Sequence, residues 1–103
     1  MRRASKVDTN HKEIFDYFVR LGCSVLSLAP LGKGVPDLLV AIKGITWLVE
    51  VKFGKSKENA LQKEWAENWK GARALVRDKE GVETVVKLMK STLNTLDSQL
   101  KTL

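Results

Sequence analysis

This chain is poor in the residues that staple or ligate. Cys23 is its single cysteine and His11 its single histidine. An intrachain disulfide is therefore excluded, and so is a Cys/His zinc site within one chain. A Ser-His-Asp or Cys-His arrangement would have to be built on His11 alone. Cys23 reads as a small buried apolar residue. Only two prolines are present, Pro30 and Pro36, so neither chain end is broken by one. No run approaches the ~20 apolar residues that a membrane helix needs. No signal-peptide core is found, which sets the expectation of a cytoplasmic protein with no membrane partner. Internal repeats and low-complexity segments are also missing. A length of 103 residues allows one small domain, residues 1–103.

Acidic residues are outnumbered, 12 against 18 lysines and arginines, for a net charge of +6. Such a surface favours polyanions, of which nucleic acid is the commonest. Against that background the segment GVPDLLVAIKGITWLVEVK, residues 34–52, stands out. Two apolar runs flank Lys43-Gly44, which reads as a β-hairpin. Asp37, Glu50 and Lys52 are set into these runs. A two-residue Lys43-Gly44 loop would place Asp37 opposite Glu50. A Gly44-Ile45 loop would place Asp37 opposite Lys52 and diagonal to Glu50. Strand alternation puts all three on one face in either register.

Two carboxylates side by side in an apolar sheet are costly unless a positive charge neutralises them. A hard divalent cation, Mg²⁺ or Mn²⁺, suits oxygen ligands. Lys52 on the same face can hold the attacking water or stabilise an anionic transition state. A plain salt bridge that solvates the end of the hairpin is the alternative for any one of these charges. Three of them on one face of Leu/Val/Ile strands favour a site.

The pattern Pro36-Asp37 followed by Glu50-Val51-Lys52 resembles the PD-(D/E)XK nuclease signature. Its surroundings sharpen the likeness: Asn10-His11-Lys12-Glu13-Ile14, Gly32 through Val40, Leu48 through Lys52, Gln62-Lys63-Glu64-Trp65, Trp69-Lys70-Gly71 and Leu75-Val76-Arg77 occur in that order. This is similar to the small stand-alone VRR-NUC nucleases of phages and bacteria, over about residues 8–86. The resemblance implies a metal-dependent endodeoxyribonuclease in a bacterial cell or phage-infected host. It implies that Asp37 and Glu50 ligate Mg²⁺ or Mn²⁺ with the Val51 carbonyl. Glu13 would be the helix-borne acid that joins the metal or its water shell, with Asp16 as the nearby alternative. Gln62 would position the site from its helix. Two departures exist. Glu58-Asn59-Ala60 stands where the family commonly has Leu-Thr-Pro, and Val76-Arg77-Asp78 where it has Val-Arg-Arg.

Around the hairpin, residues 1–7 read as a mobile basic arm. Asn10 and Glu13 are spaced as a capping box for a first helix, with Glu13 then structural. That helix carries the apolar stripe Ile14, Phe15, Phe18, Val19 and Leu21 and ends at Gly22. Residues 24–29 read as the first strand and 30–35 as a loop approaching the site. Its Gly32-Lys33-Gly34 is not a phosphate-binding P-loop, because no Gly-Lys-Ser/Thr precedes a helix. Residues 53–58 form a charged loop. A second helix, about 59–70, has Leu61, Trp65 and Trp69 at spacing four, a stripe expected in the core. Residues 72–77 read as a buried fourth strand. A third helix starts near Lys79, and residues 92–103 extend it. Lys33, Lys55, Lys57 and Arg77 are candidates for DNA phosphate contacts. For Lys33 plain solvation, and for Arg77 a pair with Asp78, are the alternatives.

The expected fold is α/β: an αβββαβα restriction-endonuclease-like core, with a mixed four-stranded sheet flanked by helices. The expected function is structure-specific cleavage of branched DNA, chiefly four-way (Holliday) junctions, by a homodimer. The dimer expectation rests on one site per chain and on the seam Leu93, Leu96, Leu100 and Leu103. A nicking or flap nuclease, a non-cleaving basic DNA-binding module and an RNA-cleaving enzyme are the competing readings.

Overall fold

The structure, a computed structural model, describes the backbone of residues 9–102 and side chains as far as residue 92. The basic arm 1–7 and the side chains of the Leu93–Leu103 seam lie outside the described residues. Elements follow in the expected order: α1 His11–Arg20, β1 Ser24–Ser27, β2 Leu38–Ile42, β3 Ile45–Val51, α2 Ala60–Asn68, β4 Arg73–Val76 and α3 Lys79–Thr102. A single 3₁₀ turn, Ala29–Leu31, lies between β1 and β2. It removes Leu28 and Ala29 from the first strand.

The strands lie in the order β1-β2-β3-β4. The first two pairings are antiparallel, and β3–β4 is parallel with α2 as the crossover. The β2–β3 turn is made by Lys43 and Gly44, with Ile42 paired to Ile45. Both turn residues have positive φ, 49° and 84°, which is what a type I′ hairpin turn demands. The register Leu38↔Val49 then fixes Asp37 beside Glu50. Of the two registers open from sequence, the one with the Lys43-Gly44 loop is adopted.

Strand alternation divides the sheet into unlike faces. Leu38, Val40, Ile42, Val49, Val51 and Val76 belong to the main buried cluster, with Ile14 and Phe18 of α1 and Val82, Val85, Val86 and Met89 of α3. Burial of each large side chain here contributes roughly 1.5–3 kcal/mol. Residue Val19 of the α1 stripe is half exposed instead. The opposite face carries Glu50 and is covered by α2, which buries none of its own residues. The expected Leu61/Trp65/Trp69 core stripe is thus corrected: Leu61 is 58% and Trp69 44% exposed. Spacing identified one stripe but not what it meets. Strand β4 is likewise less buried than expected, with only Val76 enclosed, because it is an outer strand.

The helix ends differ in how they are satisfied. Asn59 and Gln62 form a reciprocal capping box at α2. Asn10 does not cap α1 through its side chain. It is buried and donates through Nδ2 to the carbonyls of Lys52 (3.2 Å) and Arg77 (2.9 Å), tying α1 to the ends of β3 and β4. Two strand-end carbonyls that would otherwise be stranded are satisfied this way. Helix α3 continues through Ser91 and Thr92 without a break. The Thr92 hydroxyl donates to the Leu88 carbonyl one turn back.

Candidate active site

Strand β3 extends past the end of β2, so the amide of Val51 has no strand residue opposite it. The Asp37 carboxylate takes that place, accepting from Val51 N–H through Oδ2 at 2.8 Å. The Val51 carbonyl leaves the strand on the same side as its amide. Pro36 is fully enclosed, and Leu28 N–H donates to the Asp37 carbonyl, so the approach to Asp37 is fixed on both sides.

Glu50 lies one position from Val51 and is 1% exposed. Its Oε1 accepts from Gln62 Nε2 at 2.7 Å and lies 3.9 Å from Lys52 Nζ. Its Oε2 is buried and accepts no hydrogen bond, so the ionised carboxylate leaves it unpartnered, while the protonated carboxyl can bond to Asp37. Burial, and then the negative charge of Asp37, push the Glu50 carboxyl up to about 8 against the pull of Lys52. Two carboxylates thus compete for ionisation in a dry place, and a buried oxygen is left over. Asp37 and Lys52 are each 8% exposed.

Gln62 is held at both ends of its amide. Oε1 accepts from Asn59 N–H (2.9 Å) in the capping box, which directs Nε2 to Glu50. Arg73 of β4 pairs with Glu58, anchoring the approach to α2. Gly34, at φ +81°, completes the packing. A Cβ there would lie 2.4 Å from the Leu61 carbonyl oxygen, so only glycine lets this loop lie on α2. Neither the Arg73–Glu58 pair nor the Asn10 anchor was read from sequence. The partners of each are separated by 15, 42 and 67 residues, and only the Asn59/Gln62 spacing carried a local signal.

The remaining expected site residues divide. Glu13 is not brought to this cluster. It stands on α1, which packs on the other face of the sheet, is largely exposed and pairs with Lys79 at 3.8 Å. Asp16 is also exposed, paired with Lys12. Arg77 Nη1 donates to the carbonyls of Gly54 (2.9 Å) and Ser56 (2.7 Å), bracing the loop after β3 instead of pairing with Asp78. Lys33, Lys55 and Lys57 are exposed. Among the described residues no group of three His, Cys, Asp or Glu side chains is placed to hold a metal. The donor set is therefore Asp37, Glu50 and the Val51 carbonyl. It fits a hard cation that keeps part of its water shell, and the unpartnered Glu50 Oε2 is the oxygen such an ion would satisfy. No helix among the described residues is long and apolar enough to cross a membrane.

Against known proteins, no family model matches, and no curated protein does. Among solved structures, a protein described as a VRR_NUC domain superposes with a TM-score of 0.63 at 28% identity, covering 78% of this chain and 97% of that one. With a four-stranded mixed sheet, three helices in the order αβββαβα and Asp37 facing Glu50 across the hairpin, the chain has the VRR-NUC fold.

Proposed function

We propose that this protein is a Mg²⁺- or Mn²⁺-dependent DNA endonuclease. The observation that carries the reading is the buried Asp37–Glu50–Lys52 cluster, with its unpartnered Glu50 oxygen, in a chain of net charge +6 and VRR-NUC fold. Asp37, Glu50 and the Val51 carbonyl hold the ion. When bound, it supplies positive charge to the scissile phosphate. Asp37 remains fixed by Val51 N–H, and Gln62 keeps Glu50 turned into the site. Lys52, whose ammonium lies 3.9 Å from Glu50, orients the incoming water and offsets charge developing on the phosphate oxygens. Water attacks phosphorus, the bond to the leaving sugar oxygen breaks, and that oxygen takes up a proton. Exposed lysines such as Lys33, Lys55 and Lys57 neutralise neighbouring phosphates without reading bases.

The substrate we favour is a four-way junction cut by a symmetric homodimer. The described residues of each chain hold one such centre, and two symmetric incisions need two. The test is cleavage of end-labelled junction, flap, nicked duplex and RNA, with Mg²⁺, Mn²⁺ or EDTA, alongside light scattering. Paired cuts in the junction by a metal-loaded dimer are expected. Equal cutting of all DNA forms by a monomer would remove the junction reading, and activity in EDTA would remove the metal. Failure to cut any substrate would leave a binding module.

A further inference from the structure

Helix α2 presents a feature that neither the fold nor the proposed chemistry uses. The indoles of Trp65 and Trp69 stack on each other, with centroids 5.0 Å apart and planes 21° from parallel. They are not enclosed. With Leu61, Glu64, Asn68 and Lys33 they line an open depression of about 420 Å³. Trp69 is exposed and Trp65 half-buried, on a helix that buries nothing, and together they offer a flat aromatic wall with a cation beside it. Flat aromatic walls with nearby cations are how proteins hold bases that have left a duplex.

Position argues for the same occupant. Gln62 of α2 donates to Glu50, and Gly34 lies against the backbone of Leu61 and Gln62. Trp65 is three residues beyond Gln62, about 4.5 Å of helix rise. The wall thus begins less than one helical turn from the residue that holds Glu50. Lys33, which lines the same depression, comes from the loop that leads into Asp37. Glu64 is the one opposing charge on the rim. A base inside a duplex is covered on both faces by its stacked neighbours, so the ring that lands here comes from an unstacked nucleotide.

We propose that Trp65 and Trp69 form a stacking platform for an unpaired nucleobase next to the cleaved phosphate, selecting DNA that is opened at a branch. This deepens the nuclease reading and rests on it for the word cleaved. The test uses the intact protein in EDTA, titrated with an oligo(dT) of about ten nucleotides, within the range one such groove engages. Quenching of tryptophan emission is expected. Trp65→Ala and Trp69→Ala should each weaken binding roughly 5- to 100-fold, and Trp65→Phe should retain most of it. With Mg²⁺, Trp65→Ala should raise KM for a branched substrate carrying unpaired nucleotides far more than it lowers kcat. Melting curves of the variants check that each still folds.

No quenching, or alanine variants that bind as tightly as the parent, would overturn the platform. So would light scattering in which the variants lose a dimer at unchanged oligonucleotide affinity, since the face would then belong to a second copy of the chain. Cleavage without stacking removes the platform and leaves the nuclease. Stacking without cleavage does the reverse.

Discussion

The two faces of this sheet are built from the same four strands and do opposite things. The face toward α1 and α3 is closed by Ile14, Phe18, Val82, Val85, Val86 and Met89 over Val40, Val49 and Val51. The face toward α2 carries Glu50 and is roofed by a helix with no buried residue. Along β3 and on to Lys52 the two alternate residue by residue, so Val49 and Val51 join the apolar cluster while Glu50 and Lys52 lie together on the other face. One dry, apolar face supplies the rigidity that lets the other keep two carboxylates near a lysine at a cost to stability. Raising the Glu50 carboxyl toward 8 is the mark of that cost.

The comparison breaks most sharply at the acids. Asp37→Ala and Glu50→Ala should each lower cleavage by more than about 10²-fold, with DNA affinity in a filter or anisotropy assay little changed, because phosphate contacts come from lysines. Lys52→Ala should reduce kcat while leaving the metal dissociation constant near its parent value. Next in size is the closed face. Phe18→Ala should destabilise by about 3–5 kcal/mol in urea unfolding, whereas Leu61→Ala on the open face should stay within ~0.5 kcal/mol.

Stability against pH sharpens the contrast further. The folded chain keeps a proton on Glu50 up to about pH 8, while an ordinary glutamate releases it near 4.5. Between those values the folded state binds more protons than the unfolded one, so stability falls as pH rises through the window. Metal-free protein should melt lower at pH 9 than at pH 5. Glu50→Gln should reduce that slope, as should added Mg²⁺. A Tm that rises steadily with pH would contradict the burial of Glu50. Gln62→Ala should weaken metal affinity roughly 10- to 100-fold by calorimetry, the range seen when a ligand loses the partner that orients it. The smallest effect belongs to Glu13→Ala. Its carboxylate is exposed and across the sheet from Glu50, so cleavage should stay within about twofold. A large loss of activity there would mean that α1 moves to the site when DNA binds.

How much of this was legible before the fold was known follows from the range of each interaction. The hairpin was legible because Lys43-Gly44 and the flanking alternation are local, and Asp37, Glu50 and Lys52 could be assigned to one face from period two alone. The choice between registers needed the φ of Lys43, which is 49° and uncommon for a residue with a side chain. Gln62 was singled out by likeness to a family, while its double hold between Asn59 and Glu50 joins a helix cap to a strand and has no sequence period. Glu13 illustrates the opposite case. Its spacing suited both a cap and a ligand; in the fold no side-chain cap forms, because Asn10 is drawn inward to the carbonyls of Lys52 and Arg77, and Glu13 pairs with Lys79.

By itself the sequence determined the order of elements, the hairpin, and the shared face of Asp37, Glu50 and Lys52. Each follows from backbone periodicity and turn chemistry within some twenty residues. Only the tertiary structure decided which stripe is core and which is surface, since Val85 and Trp65 obey the same helical period but face different partners. It also decided that Arg77 braces a loop, that Arg73 meets Glu58, and that Glu50 is dry enough to keep a proton. Those depend on which distant segments exclude water from a side chain, and solvent exclusion is a property of the assembled sheet and helices, not of the local chain.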